Sequence, residues 1–193
     1  MEEERIKSAL EIAMERISAL PELTPEEITA QKEKQYSPVG EAISGRYMNG
    51  LIGDYEIIGE MDKYKAEQKQ IIRRALVSSL CRAMRIGGDS ESAARALKGI
   101  GRVMPGKELL IKEAAENFHS IMDEFEKEKQ MRSVEFRASS VQKMKEFGIS
   151  GTAVKPNLND DESWQNELGR MSQAYESKLS ALRGRLLQAV GVS

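Results

Sequence analysis

KELLIKEAAENFHSIMDEFEKEKQMRSVEFRASSVQKMKEF, residues 107–147, contains neither proline nor glycine and is closed by Gly148. Within it Phe125, Phe136 and Phe147 recur every eleven residues. Eleven residues make about three turns of an α-helix, so the three rings fall along nearly one line of a straight rod. At 1.5 Å per residue the rod is on the order of 60 Å long, about twice the width of a small domain. One long helix is therefore expected, and its apolar line, with Phe118 included, needs a partner. The competing expectation is a break near the polar run Glu126-Lys127-Glu128-Lys129-Gln130, which would return the phenylalanines to an intrachain bundle.

The residues that follow supply a candidate for that partner. Gly151, Pro156, Asn157 and Asn159 mark 148–159 as a linker or chain reversal, after which Asp160 or Asp161 is suited to cap a last helix. Trp164, Leu168, Met171, Tyr175, Leu179, Leu182 and Leu186 then recur at spacings of three and four, an amphipathic helical stripe. A reversal would lay 160–190 antiparallel on 107–147, as in an αα-hairpin.

Upstream, Ile6, Leu10, Ala13, Ile17 and Leu20 form a short heptad-like line ended by Pro21. Thr24-Pro25-Glu26-Glu27 combines an N-cap, a proline at the first helical position and a capping-box glutamate, opening a polar helix to about Lys34. Five glycines fall between Gly40 and Gly59. No strand pattern precedes them, the dinucleotide spacing is missing and no Lys-Ser/Thr pair follows, so both nucleotide fingerprints fail. The segment reads instead as a connector: a helix ended by Asn49-Gly50, a turn through Gly53-Asp54, and a second helix capped by Asp54. From Asp54 to Arg85 no proline intervenes and Gly87-Gly88 follows, which predicts a long helix; Asp89 or Ser90 caps a shorter one ending before Pro105-Gly106. The fold class is all-α: an elongated helical bundle with long helices at about 54–85 and 107–147 and an antiparallel C-terminal helix. Residues 1–106 would carry the shorter helices and 107–193 the hairpin, as two domains or one continuous one.

Aromatic residues at 5%, charged residues at 31% and only five prolines agree with such packing. A net charge of −2 gives no global field to draw in nucleic acid or membrane. The acidic start Met-Glu-Glu-Glu-Arg does not resemble a secretory signal, no apolar run reaches about eighteen residues, and one cysteine forbids an intrachain disulfide. A cytoplasmic protein without membrane contact is expected.

Catalytic chemistry finds little material. His119 is the single histidine, and no glycine-flanked serine or nearby cysteine accompanies it. Glu116 and His119 do have the i, i+3 spacing of di-iron bundles, with Asp123 a turn on, but one chain supplies only half of such a site and a dimer would be needed for the rest. No metal, cofactor or enzymatic activity is expected. Between Asp62 and Lys107 eleven basic residues outnumber four acidic ones, a local +7. Arg73, Arg74, Arg82, Arg85, Arg95, Lys98 and Arg102 are the candidate anion or nucleic-acid contacts, although no aromatic lies between Tyr64 and Phe118 to stack on a base. Docking of this basic stretch on the acidic N-terminal region is the plainer alternative. Cys81 sits among residues of a buried helix face and reads as a core thiol. The leading expectation is a non-enzymatic interaction or scaffold protein that self-associates, a dimer being favoured over another helical partner. Phe118, Phe125, Phe136, Phe147, Trp164, Leu168, Tyr175 and Leu182 would form the interface. Nucleic-acid binding through 63–107 is the alternative, and a metal-binding bundle across a dimer the third.

Overall fold

The computed structural model describes residues 8–11, 14, 24–147 and 157–191, and every regular element among them is helical. The chain divides into two units, residues 1–35 and 36–193. Ile6, Ala13, Ile17 and Leu20 of the N-terminal line lie outside the described residues, as does 148–156 of the expected reversal. In the first unit, two reciprocal caps set helix starts. Ser8 and Glu11 form one, with Ser8 N donating to Glu11 Oε2 at 2.7 Å. Thr24 and Glu27 form the other, with Glu27 N donating to Thr24 Oγ1 at 3.2 Å and Thr24 N to Glu27 Oε2 at 2.8 Å.

From the second cap runs α1, Pro25–Met48, longer than the helix to Lys34 that polarity suggests and continuous through Pro38. Proline forgoes one helical hydrogen bond, but the residues beyond it, Gly40, Ile43, Ser44 and Tyr47, are buried within the second unit. At Gly50 the backbone enters the left-handed region (φ 73°), which glycine tolerates and which turns the chain out of α1. The expected Asp54 cap is not made. Tyr55 occupies the N-cap position of α2, Glu56–Asp62, without a side-chain cap, while Glu56 Oε2 reaches back to Gly53 N at 2.6 Å. Asp54 is instead taken by Tyr47 and Lys98, whose stronger demand for a carboxylate wins.

The long helix over 54–85 is also corrected, for α2 stops at Asp62 and α3 covers Ala66–Cys81. Lys65 is extended (ψ 159°), and Gln68 Oε1 accepts its N–H at 3.1 Å. Gln68 Nε2 donates onward to Tyr36 Oη at 2.8 Å, and the Tyr36 ring stands edge to face on Tyr64 at 6.2 Å. The break thus lets Ile57 and Met61 of α2 and Ile72, Leu76 and Leu80 of α3 enter one core, which a single straight helix could not do. Asp89 caps α4, Ser90–Val103, by accepting from Glu91 N and Ser92 N.

Residues 108–146 form one uninterrupted helix of 39 residues, α5, so the polar run at 126–130 does not break it. A 3-10 turn at Leu158–Asp160 leads to α6, Glu162–Gly191, capped by Asp161. Contacts fix the hairpin as antiparallel: Trp164 meets Phe136, Tyr175 meets Phe125, Lys178 meets Glu124 and Arg185 meets Glu113. No boundary falls at 106/107. Ala114 and Phe118 of α5 and Leu179, Leu182, Leu186 and Val190 of α6 share a core cluster with α3 and α4, which makes the region one continuous body. The phenylalanine, leucine and valine side chains among them each contribute roughly 1.5–3 kcal/mol on burial. Cys81 lies inside that core, and burial pushes its thiol up to about 11 against the opposing pull of Arg183.

Two glycines of α1 test the packing. A Cβ on Gly40 would lie 2.4 Å from the Ile72 carbonyl oxygen and 2.9 Å from Ala75 Cβ, whereas one on Gly45 would meet nothing within 4 Å. Gly40→Ala should cost about 1–3 kcal/mol through overpacking, and Gly45→Ala should gain up to about 1 kcal/mol through helix propensity. Thermal unfolding of the two variants would measure these opposite shifts.

Candidate interaction surfaces

The residues expected to form an assembly surface are mostly spent inside the chain. Phe118, Phe125, Trp164, Tyr175 and Leu182 are buried, and Phe136 and Leu168 are half-buried in the α5–α6 hairpin. Phe125 meets Tyr175 edge to face at 5.5 Å, Phe136 lies 5.6 Å from Trp164, and Tyr175 Oη donates to Glu128 Oε2 at 2.8 Å. The eleven-residue line therefore seeks its partner in α6 and not in another molecule. Phe147 is the exception, 83% exposed. In the register above, Glu162, the first residue of α6, lies level with Ala138, so α5 runs beyond α6 at that end.

A different face of α5 remains open. Met131 and Val134 are 63% and 66% exposed, Ala138 is exposed and Val141 is half-buried. Their spacing of 3-4-3 aligns them on one stripe, roughly opposite the Phe125–Phe136 line at about 100° per residue. The stripe is present in the residue order, beside the stronger apolar pattern of the phenylalanine line.

Of the basic candidates, the structure groups Arg95, Lys98 and Arg102 on one face of α4, at i, i+3 and i+7. The end of α1 and the turn after it bring two tyrosines to them. Arg95 stands 5.7 Å over the Tyr47 ring, and Arg102 lies 5.1 Å over Tyr55, which is 78% exposed. An aromatic thus does lie beside the basic stretch, supplied by tertiary packing and not by local sequence. Lys98 pairs with Asp54 at 2.6 Å. A shallow groove of about 490 Å³ continues from Lys98 and Arg102 to Ile111 and Lys112 of α5. Arg73, Arg74, Arg82 and Arg85 belong to α3 and the turn after it; Arg82 turns to Glu41 at 2.8 Å, and the Nε of Arg73 is buried without a hydrogen bond.

Glu116, His119 and Asp123 do not converge, and no group of three potential metal ligands occurs among the described residues. Glu116 sits 3.9 Å from Lys112. His119 Nδ1 lies 2.7 Å from the Ala115 carbonyl oxygen, which can only accept, so that nitrogen donates and is lost to a metal. No helix among the described residues is long and apolar enough to cross a membrane.

Comparison of the chain with family models, with curated proteins and with solved structures returned no match.

The Tyr47–Asp54–Lys98 network has a pH signature. Lys98, and then Tyr47, hold the Asp54 carboxyl below the usual carboxylate range, so its stabilisation is present above that range and is lost as pH falls through the lowered value. Burial, aided by the hydrogen bond to Asp54, pushes the Tyr47 phenol from 10.0 up to about 12, so its contribution is present below 10 and fades as pH climbs toward 12. Asp54→Asn should flatten the acid limb of a Tm-against-pH curve, and Tyr47→Phe the alkaline limb. Unaltered limbs would mean the network is not coupled to folding.

Proposed function

We propose that this chain is a non-enzymatic helical interaction protein that pairs with a second copy through the outer stripe of the distal half of α5, as a short antiparallel coiled coil. The observation that carries the reading is the open apolar stripe beside an end of α5 that has no α6 residue opposite it. A second copy is the occupant chosen because the stripe is symmetric. Lys127, Met131, Val134, Ala138, Val141 and Lys145 are spaced 4-3-4-3-4, which reads the same from either end about residue 136. Antiparallel pairing sets Met131 against Val141 of the other copy and Val134 against Ala138, the knobs-into-holes arrangement of a two-stranded coil.

Charge opposes this pairing. Lys127 faces Lys145 of the second copy, and Glu135 and Arg137 each approach their own image near the axis. Glu135 is partly neutralised by Arg132 of its own chain at 3.5 Å. Apolar burial drives association and like charges limit it, so salt should strengthen the dimer. Light scattering should give a dimer mass whose fraction rises between about 0.1 M and about 1 M salt, as the screening length falls from about 10 Å to about 3 Å. Val134→Glu combined with Val141→Glu should return a monomer. A native chain that stays monomeric at every concentration, or a double variant that stays dimeric, overturns the proposal.

A second reading rests on Tyr55 and the α4 face: a cationic row beside an exposed ring suits single-stranded nucleic acid, phosphates on Arg95 and Lys98 and a base on Tyr55. It predicts low-salt binding of a labelled oligonucleotide that weakens steeply with added salt and drops roughly tenfold in Tyr55→Ala, by the about 1–3 kcal/mol of one stacked base. Absence of any low-salt shift would remove it.

A further inference from the structure

Between α5 and the 3-10 turn lies a partly enclosed cavity of about 200 Å³, lined by Lys129, Gln130, Ser133, Arg137, Leu158, Asn159 and Trp164. Its lining holds two cations and no carboxylate. The neighbouring acids are otherwise engaged. Glu126 takes Lys129 at 3.3 Å, Asp160 accepts from Asn157 Nδ2 at 2.5 Å, and Asp161 caps α6 through Ser163 N and Trp164 N. Arg137 has no ion pair or hydrogen bond among the described residues, and the same holds for the side-chain amides of Gln130 and Asn159 and for the Trp164 indole N–H. Ser133 Oγ donates to Gln130 O at 2.8 Å.

We infer that this cavity is a binding site for a small phosphomonoester. The Arg137 guanidinium, the Lys129 ammonium that Glu126 shares, two side-chain amides and the Trp164 indole line one space, and Arg137, unpaired among the described residues, offers the planar fork that matches a tetrahedral oxyanion. A volume of 200 Å³ admits the phosphate and a short carbon stub, the latter against Leu158 and the Trp164 ring. Arg137 borders both this cavity and the pairing axis proposed above, so the titration below is repeated on the Val134→Glu, Val141→Glu variant, in which binding should persist.

Trp164 is the chain's single tryptophan, so its indole gives one fluorescence signal and one N–H resonance, both at the cavity. Inorganic phosphate and glycerol phosphate would each be titrated into the whole chain, with sodium chloride at matched ionic strength as control. The expected result is a saturable shift of the Trp164 indole N–H resonance with glycerol phosphate, a weaker one with inorganic phosphate and none with chloride. Arg137→Gln should raise the midpoint at least tenfold, because it removes the one guanidinium of the lining. Saturation with inorganic phosphate as tight as with the ester would deny the carbon stub its place. No saturable shift, or an equal one in Arg137→Gln, overturns the site.

Discussion

Leu179, Leu182 and Leu186 of α6 are asked to satisfy two neighbours at once, and the second unit depends on that double duty. On one side they meet Ala114 and Phe118 of α5, on the other the core made by α3 and α4. A helix that buries two faces tolerates little polar residue between them. The exception, Arg183, is anchored at both ends: its guanidinium donates to the Met84 carbonyl oxygen after α3 and pairs with Glu176 at 2.5 Å. The Met84 carbonyl, just past the end of α3, thus receives a charged donor from α6, which ties together two helices distant in sequence.

Everything distal follows from how far α6 reaches. With 30 residues against the 39 of α5, and with the register set by Phe125–Tyr175, α6 cannot cover both ends of its neighbour. Near Phe118 the hairpin is backed by α3 and α4 and belongs to the main core; near Phe125, Met171 and Tyr175 form a smaller cluster of their own. Farther still the packing thins to one ring pair, Phe136 and Trp164. Binding surfaces are therefore sought where the internal demand for apolar contact has run out.

Much of this was legible in residue order. Helix periodicity, the absence of proline from 107–147, the caps at Thr24, Asp89 and Asp161, and the stripe from Trp164 to Leu186 all depend on neighbours within one or two turns, and local sequence records such neighbours directly. What escaped was decided by distant partners. Nothing near Tyr64 announces a helix break, because the break is held by Tyr36 through Gln68. Asp54 has the form of an N-cap, but a buried phenol and Lys98 from α4 claim it. The phenylalanine line is helical, as its period predicts, and is covered within the chain at Phe118, Phe125 and Phe136 but not at Phe147, since sequence gives the face but not its occupant. Tyr55 beside Arg102 belongs to the same class of contact, one that only the fold creates.

The lone thiol gives the molecule an internal clock. Cys81 is 2% exposed and its ionisation is pushed up to about 11, so at neutral pH the folded protein holds almost no accessible thiolate. An alkylating reagent can reach that sulfur only after the packing around α3 opens. The rate of modification then reports how often the centre of the second unit opens, and comparison with global unfolding tells whether the helices part together or α6 lifts off first. Because the chain has no other cysteine, the count of modified sulfurs is the count of molecules that have opened.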